Sequence, residues 1–175
     1  SDILKAMRRK VDRQRTEEII KTIRSFSSES AIRTTFIVGF PGEIEAQFQE
    51  LKQFVIESKF ERLGVFMYSE EDGTFAAGLA EQISMEVRYR RLDEIMMAQQ
   101  EIAFETNNSL IGEFRNVIID AIQEGDYARG RTFADCPEID QEVRVAGADL
   151  EVGNIVRVKI TASEGYDLEG IVDEG

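Results

Sequence analysis

The residues best suited to chemistry in this sequence stand at the ends of two apolar runs. Thr35-Phe36-Ile37-Val38-Gly39-Phe40-Pro41-Gly42-Glu43 reads as a buried strand that stops in a Gly-Phe-Pro-Gly-Glu turn. Glycine at the C-terminal edge of a strand lets the backbone approach a ligand, and open α/β sheets bind ligands at that edge. The same residues also suit a plain strand-to-helix turn, with Pro41 fixing φ and Gly42 taking a positive φ. A second run, Val65-Phe66-Met67-Tyr68-Ser69-Glu70-Glu71-Asp72-Gly73-Thr74, ends in a polar turn and would bring Tyr68 and Ser69 to the edge that holds Gly39. A turn explains these residues as well: Ser69 and Asp72 as caps, Gly73 for its φ, and three neighbouring acids that are solvated rather than coordinating.

Thiol and metal chemistry are not written into this chain. It has one cysteine, Cys136, and no histidine. One thiol makes no intrachain disulfide and cannot by itself ligate a cluster. Cys136 therefore reads as a tolerated small apolar residue, and no metal site is expected.

The elements that must position the two edges follow from periodicity. Ile3, Leu4 and Met7 have helical spacing, and Asp12 suits the N-cap of a second helix whose face is Ile19, Ile20 and Ile23. Ile32–Phe40 is β-branched and aromatic, a buried strand. Glu45–Lys59 follows as a helix with Phe48, Leu51, Phe54 and Val55 inward, and then a strand over Arg62–Tyr68. Helix and strand alternating in this way predict parallel βα units. From Met85 a long helix presents Leu92, Ile95, Met96, Gln99, Ile102 and Ala103 at three- and four-residue intervals, ending near Asn107-Asn108. Short strands are then predicted at Phe114–Ile122, Arg129–Phe133, Glu142–Val145, Ile155–Thr161 and Asp167–Val172. Glycine-bearing turns separate them, as in a small antiparallel five-stranded β-barrel.

Charge sorts the functions this chain can serve. The formal net charge is −13, and it is uneven: residues 1–105 hold 19 acids and 15 bases, whereas residues 106–175 hold 15 acids and 6 bases. Nucleic-acid binding rests on Lys and Arg displacing counterions, so RNA binding is disfavoured for the acidic third. No apolar run approaches the roughly 20 residues needed to cross a bilayer. The first residues lack the layout of a secretory signal. The reading is a cytoplasmic protein with no membrane contact.

Three segments are similar, in order and spacing, to the latter half of the radical-SAM methylthiotransferase barrel. They are Ser1-Asp2-Ile3-Leu4-Lys5-Ala6-Met7-Arg8-Arg9, Arg33 to Glu43, and Gly64 to Thr74. Gly130-Arg131-Thr132-Phe133-Ala134-Asp135-Cys136-Pro137-Glu138-Ile139-Asp140 and Gly165-Tyr166-Asp167-Leu168-Glu169-Gly170 resemble the C-terminal TRAM domain of one branch, the RimO-type enzymes. The sister enzymes that act on transfer RNA differ where Tyr166-Asp167-Leu168 stands. Departures are Glu43, one residue late for the usual superfamily spacing, Cys136 where the branch usually has Ala, and Gln141 where Gly is common.

The resemblance implies an α/β fold: the last βα units of a radical-SAM partial TIM-like barrel with a connecting helix over residues 1–105, then a TRAM barrel over 106–175. It implies a parent enzyme that transfers a methylthio group to an aspartate β-carbon of a small-subunit ribosomal protein, using S-adenosylmethionine and [4Fe–4S] clusters. The cluster cysteines are not in this sequence, so this chain alone is expected to be inactive and to hold no cofactor. By resemblance, Ile37, Val38 and Gly39 match the strand that packs against adenine, with Tyr68 and Ser69 beside it; no residue is assigned a catalytic role. Charge adds a docking surface for a basic ribosomal protein at Asp135, Glu138, Asp140, Asp167 and Glu169. The alternatives are a tRNA-modifying methylthiotransferase and a non-catalytic TRAM or oligonucleotide-binding-type module.

Overall fold

The computed structural model describes residues 2–27 and 29–173. Ser1 of the first segment quoted above lies outside the described residues. The chain divides into two compact units, Ser1–Gln99 and Gln100–Gly175.

The first unit opens with α1 (Asp2–Ala6) and α2 (Arg13–Phe26). Asp12 caps α2 by accepting from the backbone N–H of Arg15 at 2.9 Å, which satisfies one of the amides a helix start leaves unpaired. Ile19 is 43% exposed, off the expected face. The partly buried side of α2 instead runs through Arg13, Thr16, Ile20, Ile23 and Arg24, an i, i+3, i+7 stripe that Ile19 misses.

Strand β1 (Arg33–Val38), helix α3 (Glu45–Ser58) and strand β2 (Arg62–Met67) follow. The two strands pair in parallel, Val38 beside Met67, as strands joined through a helix must. Phe36 meets Phe54 of α3 edge-on at 6.2 Å and Phe60 at 5.9 Å. Val38, Phe48 and Val55 are fully buried. Burying a side chain of this size is worth about 1.5–3 kcal/mol, so one face of the strand pair is the core of this unit.

The long helix α4 (Met85–Ser109) begins in the first unit and ends in the second. Its final turns belong with the barrel: Phe104 meets Tyr166 edge-on at 5.3 Å, and the fully buried Asn107 donates to the carbonyl of Tyr166 at 2.8 Å.

In the second unit β3 (Phe114–Ile122), β4 (Tyr127–Arg131), β5 (Val143–Ala146), β6 (Ile155–Glu164) and β7 (Asp167–Val172) close a barrel in the order β3-β4-β5-β7-β6. The expectation of a purely antiparallel barrel is corrected at one seam, because β5 and β7 run parallel. Directions can alternate all the way round a ring only if the strand number is even; five strands force one parallel pair. The core is Val117, Ile119, Ala128, Val143, Val145, Val158, Ile160 and Leu168. Gly130 and Gly170 point inward among them. A Cβ at Gly130 would collide with the backbone carbonyl of Ile118, and one at Gly170 with Val158.

Candidate functional site

The C-terminal edge of the parallel pair is built by four interactions that the sequence did not show. Val38 and Tyr68 extend the ladder one step, the N–H of Tyr68 donating to the carbonyl of Val38 at 2.9 Å. Gly39 then turns the chain at φ +72, and its N–H donates to Glu43 Oε1 at 3.0 Å. Glu43 in turn meets Arg91 Nη1 at 2.7 Å, with 5% and 4% of the two side chains exposed. The same Arg91 nitrogen donates to the carbonyl of Glu43 at 3.0 Å. Glu43 is thus the internal brace of the Gly-Phe-Pro-Gly-Glu turn. Burial pushes its carboxyl above the ordinary value, against the opposing pull of the Gly39 N–H and Arg91. Exposed Glu45 shifts the other way, through hydrogen bonds from Gln49, Arg90 and Arg91.

One turn earlier on α4, Arg88 spans both strand ends. Its guanidinium donates to the carbonyl of Tyr68 at 2.8 Å and to Gln82 at 3.3 Å, and lies over the Tyr68 ring at 5.1 Å. Its Cγ occupies the space a Cβ at Gly39 would need. Neither arginine was picked out from the sequence. The signal was there: Arg88, Arg91, Ile95, Gln99 and Ile102 continue one helical stripe, and all are buried.

Of the five residues expected to face a cofactor, Ile37 does lie open. It is 41% exposed, next to Phe66, which is 65% exposed and its register partner on β2. Phe66 is the residue the sequence reading missed, although strand alternation after buried Val65 would have turned it outward. Ser69 is exposed, and its hydroxyl donates to Glu71 at 3.2 Å. Val38 turns its side chain to the opposite face, where it is fully buried, leaving its backbone at the edge. Gly39 is corrected in its reason, since Arg88 and not a ligand fills the room its hydrogen leaves. Tyr68 is half-buried beneath Arg88, with Oη buried and without a partner.

Ile37 also lines a groove of about 480 Å³ with Leu4, Met7, Thr35 and Leu51, within the volume range of small-molecule sites. Ile37 and Phe66 present an apolar patch of the kind a flat ring can cover, whereas the groove does not include Phe66 and also carries Arg9, Arg13, Glu43 and Glu50. A [4Fe–4S] cluster does not fit. Cys136 is an exposed lone thiol, and among the described residues no three His, Cys, Asp or Glu gather as ligands.

The five docking candidates come together at one end of the barrel, where β4 leads to β5 and β6 turns into β7. The backbone N–H of Glu142 donates to Asp167 at 2.9 Å, joining the two connections. Their roles differ, however. Asp135 is corrected: it is 5% exposed and accepts from the Thr132 hydroxyl, so it is an internal brace and not a surface charge. Asp140 accepts from the N–H of Cys136 at 2.7 Å, and Asp167 serves Glu142; both fasten turns. Glu169 lies 3.8 Å from Arg144. Glu138 is exposed, beside Ile139 at 76% and near Phe133 at 70% exposure. Glu164, at the end of β6, is also exposed. Acids at the opposite end, among them Asp126, Asp149 and Glu151, show that acidity is not confined to one face.

The arginines of the barrel wall are paired. Arg115, Arg129, Arg131, Arg144 and Arg157 each lie within 3.9 Å of a carboxylate, on Glu113, Glu142, Asp120, Glu169 and Asp173 respectively. Arg144 and Arg157 are further occupied over Tyr127 and Phe114, at 4.3 and 4.4 Å.

Comparison with known proteins matches residues 111–172 to the TRAM domain family. The chain is 48% identical to the ribosomal protein uS12 methylthiotransferase RimO of Phocaeicola vulgatus over 95% of its own length, and 44% identical to that of Christiangramia forsetii over 97%. A third relative of the same name, from Clostridium botulinum, is 43% identical over 98%. Over nearly its whole length this chain is similar to RimO-type methylthiotransferases. It covers 38–39% of the length of these three relatives. Among its described residues no helix is long and apolar enough to cross a membrane.

Proposed function

We propose that this chain is the C-terminal part of an enzyme that places a methylthio group on an aspartate β-carbon of a small-subunit ribosomal protein. In this reading the α/β unit contributes one wall of the S-adenosylmethionine site, and the β4–β5 end of the barrel docks the substrate protein. The observation that carries it is the juxtaposition of Ile37 and Phe66, two apolar side chains left open beside a braced strand edge in a chain similar to methylthiotransferases. Bound S-adenosylmethionine supplies the methyl group and, with a cluster held outside this chain, the radical that abstracts hydrogen. Ile37 and Phe66 cover an apolar ring and exclude water from it. Ser69 offers a hydroxyl at the rim.

Docking is electrostatic in character. Exposed pairs are worth about 0–1 kcal/mol each, so Glu138 and Glu164 steer and orient a basic partner more than they hold it. Among the described residues the wall's arginines lie against carboxylates and Lys159 is the remaining base, which favours a protein over an RNA as the barrel's ligand. The test changes Glu138 and Glu164 to lysine in the full-length protein and follows association with a basic ribosomal protein at low and high salt. The association rate should fall at low salt and lose its salt dependence. A rate unchanged by the reversal and insensitive to salt contradicts the docking role.

A further inference from the structure

We infer that Arg88 is a positioning residue for S-adenosylmethionine, one that sets the shape of the strand edge without touching the cofactor. The inference rests on the reading that the cofactor lies against this edge. Three contacts carry it, and each reaches a different part of the edge. The stem of Arg88 packs on Gly39, the turning point after β1. Its Nη1 donates to the carbonyl of Tyr68, the first residue past β2. Its guanidinium carbon lies over the Tyr68 ring at 5.1 Å, and that ring meets Phe40 edge-on at 5.3 Å.

A carbonyl at the end of a strand has no ladder partner and is otherwise free to rotate toward water. Arg88 fixes that carbonyl, and with it the peptide leading to Ser69. It also holds the Gly39 turn at the distance its own methylenes dictate. Arg88 is 7% exposed, which leaves it unable to reach a ligand on the open face where Ile37 and Phe66 stand. The two arginines differ: Arg91 braces the β1 turn through Glu43, whereas Arg88 joins that turn to the end of β2, beside the Phe40–Tyr68 ring contact. A forked guanidinium can serve the Tyr68 carbonyl and Gln82 together while lying over the Tyr68 ring, which a lysine ammonium cannot.

The test uses the full-length protein with three single variants, each assayed for S-adenosylmethionine affinity by equilibrium dialysis and for melting temperature. Arg88→Met keeps a stem against Gly39 and removes the fork. Arg88→Lys keeps the stem and one donor. Ile37→Asp attacks the apolar wall directly. Arg88→Met should weaken binding about tenfold, and Arg88→Lys about threefold. Affinity per folded molecule should fall in both, and KM for S-adenosylmethionine should rise more than kcat falls. A merely structural role lowers the folded fraction and the melting temperature, and leaves affinity per folded molecule unchanged; that result overturns the inference. If Arg88→Met does not fold, wild-type affinity in Arg88→Lys overturns it equally. Loss of affinity in Ile37→Asp with none in the Arg88 variants removes the inference and spares the cofactor reading. No loss in Ile37→Asp removes both.

Discussion

The two units bury their glycines and charges in opposite ways. In the barrel every strand has two neighbours, the core is packed with valine and isoleucine, and the arginines lie on the wall against carboxylates, with Asp135 alone of the docking candidates buried. In the α/β unit, β1 and β2 pair only with each other among the described residues. There the charges go inward, as the Glu43–Arg91 pair and Arg88, while apolar Ile37 and Phe66 face out. Exposed apolar pairs and buried ions both cost stability. What sets this strand edge apart is a buried ion pair beside the open apolar residues: the barrel also leaves apolar side chains exposed, Ile155 at 70% and Ile171 at 53%, but the ion pairs of its wall are partly exposed.

The sharpest way to break this comparison is to add one methyl group to each unit. Gly130→Ala drives a Cβ into the carbonyl of Ile118 in the closed barrel, where nothing can give without moving a strand. Overpacking of this kind costs about 1–3 kcal/mol and sometimes more. The barrel should lose about 2–3 kcal/mol in a urea titration. Gly64→Ala on β2 meets only the Thr35 hydroxyl at 3.7 Å, an ordinary contact, and should change stability by less than about 0.5 kcal/mol. Equal losses at the two positions would show that the barrel is no more tightly closed than the strand pair.

Much of the fold was legible because hydrophobic period and turn chemistry agreed. β3 begins and ends at the residues expected, Phe114 and Ile122, and the Asp12 cap is in place. The parallel strand pair follows from Pro41-Gly42 and the intervening helix. Other features were hidden for physical reasons. β6 runs on to Glu164 past a register shift between Ile160 and Ala162, which breaks the alternation that signals a strand. Asp135 looked like one of several turn acids, and only its bond to Thr132 reveals it as internal. Arg88 and Arg91 have the chemistry of a solvated face, so position on the stripe, not residue type, was the clue. Within the candidate site the turn residues could be read from sequence, but not what fills the space beside them.

A smaller effect separates the buried pair from the surface ones. Because burial raises the Glu43 carboxyl above its ordinary value of 4.5, the folded chain binds that proton more tightly than the unfolded chain. Its contribution therefore favours folding at low pH and is lost as pH climbs from about 4.5 through the raised value. Glu45, shifted downward, contributes stability that is lost only as pH falls below the ordinary range. Glu43→Gln keeps an acceptor for the Gly39 N–H and removes the titration. It should be less stable than the wild type, by a gap that narrows between pH 4.5 and neutrality in thermal melts. A gap that widens over that range would mean that Arg91 outweighs burial.

The division of labour between the units is tested most directly by measuring two affinities in two variants of the full-length protein: for S-adenosylmethionine and for the basic ribosomal protein. Ile37→Asp should weaken the first and leave the second at its wild-type value, while the Glu138→Lys, Glu164→Lys pair should weaken the second at low salt and leave the first. A crossed pattern of this kind supports a cofactor wall in the α/β unit and a docking end on the barrel. If each variant weakens both affinities alike, or Ile37→Asp leaves S-adenosylmethionine binding untouched, the assignment of the two roles to the two units is wrong.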